Sequence, residues 1–197
     1  MNLITLDFET YYDKDYSLKK VTTEEYVRSQ DFEVIGLGIK LDNNPTEWAS
    51  GTHKQVKEYL HTFPWESSMV LAHNTMFDGA ILNWQFGIKP KAYTDTLCIS
   101  RAVNGVEVSS SLDALAKRYD VGIKGKEVLN TIGKRREEFT EEELSKFGDY
   151  CVNDVELTHK VFLKMATDFP KKELKLIDLS LRMFIEPMLD LDLIWLE

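Results

Sequence analysis

Only two cysteines, Cys98 and Cys151, stand in the 197 residues. Two sulfurs make neither a disulfide framework nor a four-ligand zinc site. The natural compartment is then a reducing one, and a cytoplasmic protein is expected. No apolar run nears the roughly 20 residues that cross a bilayer. The opening segment MNLITLDFET lacks the basic start of a signal peptide and reaches an acid by Asp7. There is no internal repeat and no low-complexity tract. Positive charge is scarce as well: 24 Lys and Arg face 33 Asp and Glu, a net charge of −9. Proteins that coat nucleic acid usually carry a basic face, so that class is disfavoured. An enzyme that grips nucleic acid locally and binds metal through carboxylates is not. The 43% apolar content is ordinary for a folded domain with a core. The length fits one domain, or one domain with a small appendage.

The patterning alternates strands and helices. Residues 2–8 read as a strand with Ile4, Leu6 and Phe8 on one face and Leu3, Thr5 and Asp7 on the other. Residues 33–41 read as a second strand, and Thr46–Ala49 completes a hairpin after the turn Asn43-Asn44-Pro45. Thr52 is placed to cap a helix running to about Thr62. SMVLA at 68–72 reads as a buried strand, followed by a helix from Phe77 to Phe86 that Gly87 ends. Thr94 is expected to cap a helix from Asp95 to about Ala102, and Ser111 one from Leu112 to Tyr119. Thr140 and Glu143 form a capping box at the head of the longest helical signal, residues 140–168. After Pro170 an amphipathic helix runs to about Glu186. These elements predict an α/β protein with a central mixed sheet flanked by helices.

Charge is uneven along the chain. Residues 117–136 carry seven bases and two acids; the next twenty carry eight acids and one base. One reading is a solvated basic loop beside a solvated acidic helix. The other is a basic lip for a phosphate backbone beside a metal-binding helix. Charge counts do not choose between them.

Three groups of carboxylates carry the chemistry. Asp7 and Glu9, two apart on a strand, project from one face near its C-terminal end. Each raises the other's pKa unless a cation lies between them. Oxygen ligands without His or Cys favour magnesium or manganese over zinc. Alone, the pair reads more readily as two exposed acids at a strand end. Asp78 follows an apolar strand and sits in the first turn of a helix, where the dipole favours an acid. Asn74, four before it, is placed to cap that helix, and Phe77 adjoins it. Tyr150 and Asp154 are four apart, hence on one face of the long helix. Four converging acids are destabilising without metal. A pair of divalent ions about 3.5–4 Å apart neutralises them and activates water for in-line attack on a phosphodiester.

LDFET at 6–10, AHNTMFD at 72–78 and YCVND at 150–154 resemble the three exonuclease motifs of the DEDD superfamily, which includes the 3′→5′ proofreading domains of DNA polymerases. Tyr150, four before the last acid, matches the DEDDy branch; His159 lies on the wrong side for the His variant. The resemblance runs from residue 2 to about 168 and is nearest to the exonuclease domains of phage-type family A polymerases. The insertion at 11–31 resembles those enzymes. Glu186-Pro187-Met188 resembles the junction where a polymerase thumb begins. The expected division is an exonuclease domain at 1–186 and a tail at 187–197.

The resemblance implies a ribonuclease-H-like fold and two Mg²⁺ or Mn²⁺ ions. Asp7 would bridge both ions. Glu9 and Asp154 would hold the one that binds the attacking water, and Asp78 would serve the second. Tyr150 would orient the water, helped by Glu9. Thr10, Asn74 and Phe77 would lie near the terminal nucleotide of a single-stranded or frayed DNA 3′ end, with Tyr11 a further stacking candidate. The products would be nucleoside 5′-monophosphates, and the partner a polymerase domain or subunit, in a bacterial host cell if phage-encoded. No membrane is implied. The competing readings are an RNase D-like exoribonuclease, an endonuclease of RNase H type, and a non-catalytic module that binds DNA ends or a polymerase.

Overall fold

The computed structural model describes residues 1–125 and 131–186. The strands are β1 (Asn2–Thr10), β2 (Val34–Leu41), β3 (Glu47–Ala49), β4 (Ser68–Ala72) and β5 (Ala92–Asp95). They form a five-stranded sheet in the order β3-β2-β1-β4-β5. β1 pairs antiparallel with β2 and parallel with β4. β2–β3 is antiparallel and β4–β5 parallel. The sheet is therefore mixed, as the element pattern predicts, with β1 at its centre.

Helices cover both faces: α1 (Thr23–Arg28), α2 (His53–Leu60), α3 (Thr75–Trp84), α4 (Thr96–Asn104), α5 (Leu112–Tyr119), α6 (Glu141–Ala166) and α7 (Lys171–Ile185). Ile4, Leu6 and Phe8 of β1 join one core with residues of α1, α2, α3 and α7. A second core, on the other face, holds Leu71, Ile99, Leu115 and the α6 residues Leu157, Val161 and Phe162. The strict alternation along β1 serves both layers. No helix among the described residues is long and apolar enough to cross a membrane.

The long helix α6 starts where its capping box lies: Thr140 accepts from the Glu143 amide, and the Glu143 side chain accepts from the Thr140 amide. It then crosses β1 and β2 at close range. A Cβ on Gly38 of β2 would come 2.9 Å from Val155 and 3.0 Å from the Cys151 sulfur. Only a glycine there lets the helix approach so near. This approach brings Cys151 and Asp154 over the centre of the sheet.

Several expectations change. Thr94 caps no helix; it lies in β5, and the Asp95 side chain accepts from the Leu97 amide to cap α4. Helix α3 starts two residues before Phe77, and its N-cap Asn74 has left-handed backbone (φ 81°) without a side-chain capping bond. The insertion at 11–31 contains α1, whose own capping box joins Thr22 and Glu25. The expected tail at 187–197 lies outside the described residues, as do residues 126–130 of the basic run.

Candidate active site

Asp7 and Glu9 leave β1 on the face that looks at α6. The Cys151 thiol donates to the Asp7 carbonyl at 3.4 Å and lies 3.7 Å from Asp7 Oδ2. It accepts in turn from the Gly38 amide at 3.1 Å. One ligand atom each from Asp7, Glu9 and Cys151 fall within 4.8 Å of one another. Asp78, 3% exposed, comes from the other side of β1, where its Oδ1 accepts from the Phe8 amide at 3.0 Å. That bond ties the first turn of α3 to the backbone between Asp7 and Glu9.

Asp154 closes the group from α6. It is 6% exposed. Its Oδ2 accepts from Lys124 Nζ at 2.6 Å. Its Oδ1 is buried and, among the described residues, has no hydrogen-bond partner. Lys124 also stands 5.3 Å over the Tyr150 ring. Tyr150 and Asp154 share the helix face that meets β1, as their spacing predicts.

The electrostatics reflect this crowding. Burial, and then the Asp154 charge, push Asp7 from 3.8 up to about 7. Burial and the charges of Asp7 and Asp154 hold Glu9 well above the usual carboxylate range. Burial and Asp7 do the same to Asp78. Burial also raises Asp154, against the pull of the Lys124 ammonium. Burial lowers Lys124, but its bond to Asp154 outweighs this and the net shift is upward. Burial and Asp154 raise the Tyr150 phenol. Four acids from three elements thus repel one another in one place, and one internal ammonium relieves them only in part.

The structure brings Asp7, Glu9, Asp78, Tyr150 and Asp154 together, and it places Thr10 and Phe77 beside the end of β1 and Asn74 at the end of β4. Thr10 Oγ1 lies 2.9 Å from the Tyr26 hydroxyl. Phe77 is half-buried against the Tyr26 ring, 5.9 Å between centroids. The Asn74 backbone amide donates to the Asp95 carboxylate at 3.1 Å, which ties the start of α3 to the end of β5. Tyr11 is less available than expected: the Arg135 guanidinium covers its ring at 3.7 Å. Much of the basic run is also committed to protein acids. Lys117 pairs with Asp113, Lys134 with Glu143, and Arg135 with Asp31 and Glu33. His159, buried, has Nδ1 2.9 Å from Thr5 Oγ1 and stays apart from the acids.

Two residues of the site are not picked out by sequence reasoning. Cys151 reads there as a core residue of the α6 stripe, and its place next to Tyr150 is the one available signal. Lys124 is one base among seven, and nothing local marks it as the partner of an acid 30 positions away.

The 3′-5′ exonuclease family matches residues 13–169, a stretch that includes Asp78, Tyr150 and Asp154 and begins after Asp7 and Glu9. No curated protein matches the chain. Among solved structures, Trypanosoma brucei RNase D aligns at a TM-score of 0.70 and 17% identity, covering 93% of this chain and 64% of that one. The same enzyme in complex with RNA U12 aligns at 0.67 and 15% identity, covering 93% and 62%. Brucella melitensis NrnC with bound Mg²⁺ aligns at 0.61 and 13% identity, covering 92% and 81%. At such identities these neighbours speak for the fold alone. A ribonuclease-H-like sheet, and a family match across most of its residues, make this chain a member of the 3′-5′ exonuclease family.

Proposed function

We propose that the chain is a metal-dependent exonuclease that removes nucleoside 5′-monophosphates from a single-stranded or frayed DNA 3′ end, as a proofreader does. The observation that carries this is the meeting of Asp7, Glu9, Asp78 and Asp154 at the end of β1, with Asp154 Oδ1 buried and, among the described residues, unpartnered. A buried lone pair without a donor is costly and calls for a ligand. The donor set suits a hard divalent ion, since four carboxylates offer oxygen. Two Mg²⁺ or Mn²⁺ ions are the natural occupants, and the bound Mg²⁺ of the NrnC neighbour supports that choice. Once bound, such ions supply an activated water and neutralise charge developing on the phosphodiester.

The chain's own residues do the rest. Asp7, whose charge acts on Glu9 and Asp78 and which itself feels Asp154, would serve both ions. Glu9 and Asp154 would hold the ion that activates the water, and Asp78 would serve the other. Tyr150 would orient the attacking water through its hydroxyl. Thr10, Asn74 and Phe77 flank the terminal nucleotide, with Phe77 offering a stacking surface worth about 1–3 kcal/mol.

A second reading, an exoribonuclease, is favoured by the RNase D neighbours, one of them in complex with RNA U12. For DNA stand the resemblance of the insertion at 11–31 and of Glu186-Pro187-Met188 to polymerase exonuclease domains; the three motifs are common to both readings. On that view the chain works beside a polymerase domain or subunit. The deciding experiment digests 3′-labelled DNA and RNA single strands side by side with Mn²⁺ or Mg²⁺, with 5′-labelled strands as polarity controls. Release of labelled mononucleotide from DNA is expected. Faster release from RNA selects the second reading; nicking of a circular strand defeats both.

A further inference from the structure

A nucleic-acid strand needs cations along its path, and in this acidic chain they are few. The basic run at 117–136 has largely spent its charge: Lys117, Lys124, Lys134 and Arg135 all sit in ion pairs with the protein's own acids. Apart from Arg28, paired with Glu24, the insertion between β1 and β2 has not. Its Lys14, Lys19 and Lys20 are exposed and, among the described residues, form no ion pair. All three line a cavity of about 460 Å³. That lies within the roughly 300–1,000 Å³ of ordinary ligand sites.

The cavity has an apolar floor. Tyr12, Tyr26 and Phe77 contribute rings, and Leu18 and Ile132 contribute aliphatic surface. Leu18 is 47% exposed and Ile132 55%, which the fold does not require. One acid, Asp13, also lines it. Its oxygens are taken by the Asp15 and Tyr16 amides and the Tyr11 hydroxyl. The wall is built rather than loose. Tyr16 stacks on Tyr26 at 4.4 Å and 12° and donates its hydroxyl to the Tyr26 carbonyl. The Gly133 amide donates to the Tyr12 carbonyl at 2.8 Å, which ties the far loop to the insertion.

The cavity adjoins the candidate active site through the chain. Thr10 and Phe77, which line it, are the chain neighbours of Glu9 and Asp78. An apolar floor with an unpaired cationic rim matches a single strand, whose bases need stacking surface and whose phosphates need ammonium groups. We propose that this cavity seats the bases immediately 5′ of the cleaved linkage, with Lys14, Lys19 and Lys20 on their phosphates. It deepens the exonuclease reading by assigning the upstream strand a track made by the insertion.

The test separates this track from the catalytic acids. Fluorescent single strands, one DNA and one RNA, are titrated in chelator at several salt concentrations against the wild-type chain and the K19A/K20A variant. The wild type is expected to bind, with log affinity falling linearly in log salt. Each lysine lost from a phosphate makes that slope shallower by about 0.7. In hydrolysis with Mn²⁺, the variant should show a several-fold higher KM on a long strand at unchanged kcat, and unchanged turnover of a dinucleotide. Replacing Leu18 and Ile132 by Ser should weaken long-strand binding without altering the salt slope. An unchanged slope in K19A/K20A, an equal loss on the dinucleotide, or a wild-type chain that binds neither strand overturns the proposal. Binding with the expected slopes but no hydrolysis would leave the track standing and defeat the exonuclease reading instead.

Discussion

Asp7 keeps its proton to about pH 7 in the metal-free chain because burial and Asp154 both oppose its charge. The unfolded chain releases that proton near the ordinary value of 3.8. Between those pH values the folded state binds more protons, so stability falls as pH rises and levels off above the folded pKa. Glu9 and Asp78, raised in the same direction, add to the slope. In chelator, Tm should therefore drop by several degrees between about pH 5 and about pH 8, and Asp7→Asn should flatten the drop. A Tm that climbs over this interval would show that the acids are not crowded as described. The same substitution should cut hydrolysis at least about a thousandfold, since several kcal/mol of charge stabilisation go with the ligand. Circular dichroism should be unchanged. Tyr150→Phe keeps every carboxylate, so it should lower kcat by about 10–100-fold and leave calorimetric Mn²⁺ affinity alone. Lys124→Met removes the ammonium that competes for Asp154. The metal-free Tm should fall while Mn²⁺ binds more tightly; weaker binding would mean that Lys124 helps assemble the site.

Helix α6 and strand β2 act as one unit, because Gly38 lets them touch. Gly38→Ala places a methyl 2.9 Å from Val155 and 3.0 Å from the Cys151 sulfur. Relief requires the helix to shift, at a cost of about 1–3 kcal/mol, and Tyr150 and Asp154 move with it. A lowered urea midpoint and a lowered kcat should appear together. Thr140→Ala is the contrast: losing the capping box costs about 1 kcal/mol far from the acids, and kcat should hold. Among the elements, α6 is legible because its cap and its three-and-four spacing are local signals. The same holds for α5 behind Ser111 and for β4. Strand β5 is not: it has four residues and exists because Val70 pairs with Tyr93 and Leu71 with Thr94. Helix α1 spans six residues, too few for periodicity, although its Thr22–Glu25 box is a readable start.

Across the molecule the net charge is −9, and four of the acids repel one another where metal would relieve them. Saturation at a hundredfold over Kd stabilises a folded protein by about 2.7 kcal/mol per site. Added Mn²⁺ should accordingly raise Tm, and more at high pH than at low, with chelator reversing the gain. The basic surface is distributed differently from the charge count along the chain. Lys134 and Arg135 return to acids of α6 and of the loop before β2, while the lysines of the insertion remain open to solvent.

The α/β class, the long capped helix, the shared strand face of Asp7 and Glu9, and the shared helix face of Tyr150 and Asp154 were all legible in the residues. Each follows from forces acting over two to four positions: strand alternation, helical pitch and capping bonds. Folding in three dimensions was needed to set Asp78 on the Phe8 amide, Lys124 on Asp154 and Cys151 on Asp7, and to turn the insertion into a lined cavity. Those contacts join residues 30 to 144 positions apart. They depend on sheet register and on how closely α6 packs over Gly38, which no short-range pattern encodes.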